Sequence, residues 1–312
     1  MGIVAAMPAP RIAIGPRAQD FAVRAVVDGG GTVVEVDTAP DGLVWLDPAD
    51  VDGLRRALAD APGASWIQLP FAGVEAMVEA GLLDPSRRWT CAKGAYAEPV
   101  AEHALALALA GLRGLRARVE ARSWGSPAGI SLYDRKVTIL GGGGITGRLL
   151  EQLAPFRVEA TVVRRSAEPV PGAARTVTTA ELHDVLPGAS VVFLALALSP
   201  ATTGIIGTRE LALMDGDAWL VNVARGRHVD TDALVAALTE GTIGGACLDV
   251  TDPEPLPEGH PLWTLPNCIV TPHTADTWDM IRPLLGERIR TNVARFGAGE
   301  PLVGTVDPAA GY

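Results

Sequence analysis

The chain has few cysteines, little positive charge and no long apolar run, and each shortage excludes a class of protein. Its three cysteines, Cys91, Cys247 and Cys268, are widely spaced and form no CxxC pair, so neither a disulfide framework nor a zinc site is expected. A reducing cytoplasm suits such a chain best. The longest apolar run, residues 104–112, is far shorter than the roughly 20 residues of a membrane-spanning helix. We therefore expect no membrane partner. The N-terminal run MGIVAAMPAPRIAIG is short, is broken by prolines and lacks a basic start, so we do not expect a signal peptide.

Positive charge is outweighed by negative charge. The chain has 26 lysine and arginine residues against 36 aspartate and glutamate residues, which gives a formal net charge of -10. An acidic surface argues against nucleic acid as a partner, although a local basic pocket for a small anion stays possible. A hydrophobic share of 48% over 312 residues is typical of a globular protein with two domains of ordinary size.

Short β-rich runs alternate with helical patterns, which predicts an α/β fold with parallel sheets. We expect two Rossmann-like, doubly wound domains, with the second inserted into the first. The first, flavodoxin-like domain is predicted at residues 1–100 and 281–312, and the second at 101–280. Helices are expected over about 97–121 and 276–296. The predicted strands include the runs RIAIG, GTVVEV, LVWL and SWIQL of the first series, and VTIL, VEATVV, SVVFLAL, AWLVNVA, GGACLDV and NCIVTP of the second.

Four consecutive glycines, residues 141–144, join a predicted strand to a predicted helix. A strand, a glycine turn and a helix N-terminus together form a cradle for the phosphates of a dinucleotide. The strict GxGxxG frame is Gly142, Gly144 and Gly147, whereas a shifted frame is Gly141, Gly143 and Thr146. The spacing alone does not choose between the two frames.

The next strand lacks an acidic residue at its end. NAD-binding domains usually place a carboxylate there, about 20 residues past the glycines, to hold the ribose hydroxyls. This strand ends instead in Arg164, Arg165 and Ser166. Guanidinium groups pair well with phosphate, so the sequence favours NADP, with its 2′-phosphate, over NAD.

Four titratable residues lie at or soon after the ends of three predicted strands: Arg225, Asp249 with Glu254 a few residues on, and His273. The carboxyl ends of parallel strands meet at one edge of a sheet, where ligands bind. Reduction of a 2-keto acid needs a carboxylate anchor and a proton donor. Arg225 can anchor the carboxylate, and His273 can donate the proton. Glu254 can orient the imidazole and raise its pKa.

Residues 220–276 resemble, almost throughout, the signature region of the D-isomer-specific 2-hydroxyacid dehydrogenases. The resemblance implies a homodimeric oxidoreductase with catalytic Arg225, Glu254 and His273, no metal, and Asp249 near the nicotinamide. It also favours the shifted glycine frame. Residues 67–75 resemble the family's substrate loop, which would bind the substrate through Arg225 together with Phe71, Ala72 and Gly73. The implied cofactor-binding residues are Gly141, Gly143, Gly144, Ile145, Thr146, Arg164, Arg165, Ser166, Ala197, Val223, Ala224 and Asp249.

The chain departs from the family pattern at three of these positions. Arg164 replaces the acid that selects NAD and resembles the NADP-using glyoxylate and hydroxypyruvate reductases. Ala197 stands where a proline is usual, and Thr146 where the last glycine is usual. Glu102 and His103 belong to a stretch that resembles the helix joining the domains, so we interpret them as structural.

Three functions stay open at this point. The leading one is an NADP-preferring reductase of a small 2-keto acid such as glyoxylate or hydroxypyruvate. The second is an NAD-linked dehydrogenase, including one of the phosphoglycerate type. The third is a dinucleotide-sensing binding protein, in which the fold and the Arg–Glu–His set persist without turnover.

Overall fold

The chain folds into two compact units in a computed structural model that describes residues 8–308. One unit comprises Met1–Tyr96 with Thr277–Tyr312, and the other comprises Ala97–Asp276. These divisions lie slightly before the domain boundaries expected at 100 and 280. Residues 1–7 and 309–312 of the first expected domain lie outside the described residues. Assignment of the first unit to the substrate and the second to the cofactor stays a prediction.

The first unit contains a five-stranded parallel sheet in the order β2-β1-β3-β4-β5. Strand β3 and strand β4 are buried along their whole length, as expected for strands covered on both faces. The strands are β1 (Arg11–Gly15), β2 (Thr32–Val34), β3 (Gly42–Trp45), β4 (Trp66–Gln68) and β5 (Arg88–Thr90). The helices are α1 (Asp20–Asp28), α2 (Val51–Asp60), α3 (Glu75–Glu79) and, at the end of the chain, α10 (Trp278–Ala298).

The second unit contains a seven-stranded parallel sheet in the order β12-β11-β10-β9-β6-β7-β8. Its strands are β6 (Lys136–Leu140), β7 (Glu159–Arg164), β8 (Arg175–Thr178), β9 (Val191–Leu194), β10 (Trp219–Asn222), β11 (Gly245–Leu248) and β12 (Cys268–Val270). Its helices are α4 (Ala97–Leu112), α5 (Leu115–Glu120), α6 (Gly144–Leu153), α7 (Leu182–Val185), α8 (Thr208–Leu213) and α9 (Thr231–Glu240). The order reverses between β9 and β6, which is the switch point where doubly wound sheets bind ligands.

Local chemistry sets several of these boundaries. The Asp50 carboxylate accepts from the Gly53 amide at the start of α2, and the Asp230 carboxylate accepts from the Ala233 amide at the start of α9. Such N-caps satisfy amides that the first helical turn leaves unpaired. Helix α9 is followed by the C-cap residue Gly241, whose φ of 70° is readily adopted by glycine.

The predicted fold class is confirmed by these two sheets, while some elements differ from the prediction. Strands β5 and β8 were not predicted, because each is short and carries polar residues. The single helix expected over 97–121 is two helices, since Gly114 takes a left-handed φ of 59° between them. Within residues 8–308, no helix has the length and apolar character needed to cross a membrane.

Candidate active site

The glycine turn after β6 depends on Gly141. Its φ is 112°, and a Cβ placed there would lie 2.1 Å from the carbonyl oxygen of Ala195. Only glycine fits that approach of two backbones. Gly143 is the extended residue before α6, and a Cβ placed on it meets nothing within 4 Å. Gly144 and Ile145 begin the helix, so their amides lie at its N-terminal end, where anions bind.

The geometry at Thr146 and Gly147 favours the shifted frame. Thr146 is fully buried, and its hydroxyl donates to the Gly141 carbonyl at 2.9 Å. The threonine therefore braces the turn from the position of the last glycine. By contrast, a Cβ placed on Gly147 meets nothing within 4 Å, so the strict frame assigns a glycine where the structure does not need one.

Arg164 ends β7 and lies against the glycine turn. A Cβ placed on Gly142 would be 2.9 Å from Arg164 Cδ. Its guanidinium is 3.9 Å from the carboxylate of Glu168, which is mostly exposed, so this ion pair is loose and screened by water. Arg165 and Ser166 follow, exposed and partly exposed respectively. No carboxylate ends β7, as the sequence shows.

Two residues that were not predicted hold the Arg225 segment after β10. Asn222 is fully buried; its side chain donates to the Arg225 carbonyl at 2.9 Å and accepts from the Ala224 amide at 3.0 Å. Gly226 lies so close to the next loop that a Cβ there would be 1.9 Å from the Thr251 carbonyl carbon. The turn therefore fixes Arg225 beside the loop that carries Glu254.

His273 and Glu254 form a direct hydrogen bond. His273 Nδ1 lies 2.6 Å from Glu254 Oε1, which leaves Nε2 as the ring atom that can meet a substrate. This bond raises the pKa of His273, against the effects of burial and of the Arg225 charge. The same bond from His273 lowers the pKa of Glu254. The structure therefore brings the three predicted catalytic residues within electrostatic range of one another.

Asp249 is buried at the end of β11. Its carboxylate accepts from the Thr271 hydroxyl at 2.6 Å, the Thr274 amide at 2.9 Å and the Ala275 amide at 3.1 Å. Burial opposes its charge, but the hydrogen bonds from His103, Thr271 and the Thr274 amide, with the electrostatic attraction of His103, together outweigh burial and lower the pKa of Asp249. The carboxylate thus organises the loop that carries His273, a role that the sequence did not reveal.

The remaining predicted cofactor residues border this edge of the sheet. Ala197 lies in the loop after β9, and its carbonyl accepts from the Thr202 hydroxyl at 2.9 Å. Val223 and Ala224 are buried between β10 and Arg225. The polar side chain of Thr202 therefore holds the loop at the position where the family usually has a proline.

Three of the four predicted substrate residues, Phe71, Ala72 and Gly73, lie in the first unit, whereas Arg225 lies in the second. Phe71, after β4, packs edge-on against Tyr96 at 6.1 Å and Trp278 at 6.0 Å between ring centroids. Ala72 is exposed and Gly73 is partly exposed, so the backbone of this loop is accessible within its unit.

The chain is similar to several known proteins. It is 41% identical over 295 residues to an uncharacterized protein from Corynebacterium melassecola, covering 92% of this chain and 95% of that protein. It is 36% identical over 177 residues to a glyoxylate/hydroxypyruvate reductase A from Klebsiella pneumoniae, a match that covers 56% of each chain.

Two solved structures share the fold. One is a D-isomer specific 2-hydroxyacid dehydrogenase from Xanthobacter autotrophicus in complex with NADPH and MES, with a TM-score of 0.83, 26% identity and coverage of 97% of this chain and all of that one. The other is an NADPH-dependent glyoxylate/hydroxypyruvate reductase from Sinorhizobium meliloti with NADP and sulfate, with a TM-score of 0.81, 25% identity and the same coverage.

The model of one family covers most of the second unit. Its description is D-isomer specific 2-hydroxyacid dehydrogenase, NAD binding domain, and it matches residues 103–275, more than half of the chain. The match confirms the family that the sequence resembles. The chain therefore belongs to the D-isomer-specific 2-hydroxyacid dehydrogenases and is an NAD(P)-dependent oxidoreductase.

Proposed function

We propose that the chain is an NADPH-preferring reductase of a small 2-keto acid, such as glyoxylate or hydroxypyruvate. The observation that carries this proposal is the 2.6 Å bond between His273 Nδ1 and Glu254 Oε1, with the Arg225 charge acting on both residues. A raised histidine pKa suits a proton donor near neutral pH, and the nearby arginine suits a carboxylate substrate.

His273 delivers the proton in this proposal. Glu254 holds Nδ1 with its hydrogen, so Nε2 gives its proton to the keto oxygen as that oxygen becomes an alkoxide. The imidazolium and the Arg225 guanidinium both stabilise the negative charge that develops there. In the reverse direction, neutral His273 accepts the proton of the hydroxyl group.

Arg225 holds the substrate carboxylate, and the planar guanidinium can pair with both of its oxygens. Asn222 and Gly226 fix the backbone of this arginine, so the guanidinium projects from a rigid turn rather than from a loose loop. The amides of Ala72 and Gly73 and the ring of Phe71 complete the substrate-binding set, as the family resemblance implies.

The glycine turn fits the pyrophosphate of a dinucleotide. The space around Gly143 would admit phosphate oxygens close to the backbone, and the amides at the start of α6 supply donors. When bound, the dinucleotide supplies or accepts the hydride. The chain's own part is to hold the phosphates at Gly143, Gly144 and Ile145, with Ala197, Val223 and Ala224 bordering the nicotinamide end.

Preference for NADPH rests on the end of β7. Arg164 lies against the turn, Arg165 and Ser166 follow it, and the strand ends without the carboxylate that would repel a 2′-phosphate. Two relatives support this choice, because the solved structures from Xanthobacter autotrophicus and Sinorhizobium meliloti contain NADPH and NADP. The Klebsiella pneumoniae and Sinorhizobium meliloti proteins support glyoxylate or hydroxypyruvate as substrate.

A cytoplasmic homodimer is the form that we propose for the enzyme. Within the second unit, Leu115, Val119 and Trp124 are 49%, 79% and 98% exposed. Large exposed apolar side chains that lie close together in the sequence favour a protein interface. We name Leu115, Val119 and Trp124 the apolar arm and assign the dimer contact to it.

Initial rates with glyoxylate and with hydroxypyruvate, each measured with NADPH and NADH, test the proposed function. The wild type should turn over with NADPH preferred, and His273→Ala should lose most of that activity. His183→Ala, at a surface histidine paired with Glu210, serves as the matched control and should stay active. Preference for NADH would overturn the cofactor assignment. Binding of NADPH without turnover of either acid would favour a sensing role.

A further inference from the structure

His103 reaches the loop of the proposed proton donor from helix α4. Its Nε2 lies 3.1 Å from Thr271 Oγ1 and 3.2 Å from Asp249 Oδ1. Since the Thr271 hydroxyl itself donates to Asp249, it can accept from His103. One imidazole N–H is thus shared between the hydroxyl and the carboxylate. The ring of His103 is one-fifth exposed, whereas the Asp249 carboxylate is almost wholly buried.

Asp249 holds the 271–275 loop in place through several hydrogen bonds. Its two carboxylate oxygens accept from Thr271, Thr274 and Ala275, and its main-chain carbonyl accepts from the His273 amide at 2.8 Å. A buried carboxylate is stable only when charged or polar donors surround it. Among the hydrogen bonds that favour its charge, the one from His103 has the largest effect.

The 271–275 loop needs such support because His273 has a φ of 49°. A left-handed conformation is unfavourable for a residue with a side chain and persists where surrounding contacts enforce it. The bonds to Asp249 lie on both sides of His273 along the chain, at Thr271, Thr274 and Ala275. They hold the imidazole toward Glu254 in this conformation.

We propose that His103 is a positioning residue for His273. It acts through Asp249, by donating the hydrogen bond that keeps the buried carboxylate charged and the 271–275 loop in place. This inference rests on the proposed function, in which His273 is the proton donor. It also changes the interpretation of His103, which the sequence placed in a joining helix without a part in the reaction.

Four charged groups act on His273, and each bears on the test. Glu254 and Asp249 raise its pKa, whereas Arg225 lowers it. Asp276, partly buried, has a raised pKa because of burial and interacts electrostatically with His273. Without the donor from His103, burial favours the neutral form of Asp249, so the support that Asp249 gives to the His273 cation weakens.

Two variants of His103 separate positioning from packing. His103→Leu fills the space without a donor, and His103→Gln places an amide N–H near the position of Nε2. In the leucine variant, kcat for the 2-keto acid should fall about three- to tenfold, the order expected for the net loss of one hydrogen bond that acts indirectly through Asp249. The KM values for the keto acid and NADPH should change less than about twofold, since Arg225 and the phosphate-binding glycine turn are unaltered. The glutamine variant should recover most of kcat.

A titration of the imidazole gives a readout that needs no turnover. The C–H signals of His273, assigned with His273→Ala, should titrate at lower pH in His103→Leu than in the wild type and return toward the wild-type midpoint in His103→Gln. An unchanged midpoint and kcat in the leucine variant would overturn the proposal. So would losses that the glutamine variant shares in full, which would indicate packing alone. If the wild type turned over no keto acid, the proposed function would fail, while the titration would still decide the link from His103 to His273.

Discussion

At the scale of single residues, we expect the His273–Glu254 pair to make the activity depend on pH. Glu254 raises the pKa of His273, so the protonated donor for reduction is present at low pH and is lost as pH rises through that pKa. In Glu254→Gln the amide keeps the contact but removes the charge. We expect the falling limb of kcat/KM to move to lower pH, with a loss of about 10- to 100-fold at neutral pH. A pH profile of glyoxylate reduction from pH 5 to 9 measures the shift.

The same pair contributes to stability with a definite sign. Because the folded pKa of His273 is raised, its stabilisation is present below the unfolded pKa and is lost as pH rises through the folded value.

The control for the pH profile of glyoxylate reduction is Glu258→Gln, at an exposed carboxylate of the same loop, which should leave that profile in place. If Glu254→Gln titrates as the wild type does, Glu254 is not the group that raises the pKa of His273.

At the same scale, we expect Arg164 to discriminate between the two dinucleotides. Removing a guanidinium that pairs with a 2′-phosphate costs a charge-assisted hydrogen bond, so Arg164→Ala should raise KM for NADPH roughly 10- to 100-fold. KM for NADH, which has no such phosphate, should change less than about threefold. Arg175→Ala is the control. Arg175 is exposed and pairs with Glu181, and it lies at the start of β8, whereas Arg164 lies at the end of the parallel strand β7. Equal effects on both dinucleotides would contradict this assignment.

At the scale of elements, the β6–turn–α6 unit distinguishes the two glycine frames. Gly141→Ala places a Cβ 2.1 Å from a backbone oxygen at a φ of 112°, so it should destabilise the fold by about 2–4 kcal/mol. Gly147→Ala adds a methyl group in open space within α6 and should stabilise it by about 0.5–1 kcal/mol. Urea unfolding of both variants gives the two free energies. A larger loss at Gly147 than at Gly141 would favour the strict frame.

Sequence patterns predicted these elements unevenly. Continuous apolar runs such as VTIL and SVVFLAL predicted the central strands, because strands covered on both faces contain few polar residues. The run RTVT of β8 has little apolar character, and the break at Gly114 falls inside a stretch whose helical pattern continues. Both depend on tertiary contacts and backbone conformation that periodicity does not record.

The candidate site was likewise only partly predictable from the sequence. Arg225, Glu254 and His273 could be selected from the sequence because each follows a strand, and parallel strands end at one edge. The supporting residues could not be selected. Gly226 matters because of a backbone 25 residues further along the chain, near Thr251, and His103 because helix α4 brings it to Asp249. Such partners are distant in sequence and carry no local pattern.

At the scale of the whole molecule, the apolar arm predicts self-association. Trp124 is almost wholly exposed, and Val119 and Leu115 are exposed beside it in sequence, an arrangement that costs free energy in water unless another surface covers it. Light scattering coupled to size exclusion should give about twice the 32.4 kDa of one chain for the wild type. Trp124→Glu with Val119→Glu should reduce the mass to that of one chain.

The control for this mass measurement is another exposed apolar residue. Val27→Glu changes a valine that is 57% exposed on α1, in the first unit, and should leave the dimer intact. A charge placed in the contact costs several kcal/mol of association because it is buried without a partner, whereas the same charge on α1 stays in water. A wild type that is monomeric at all concentrations, or a Trp124 and Val119 double variant that stays dimeric, would place the contact elsewhere or exclude it.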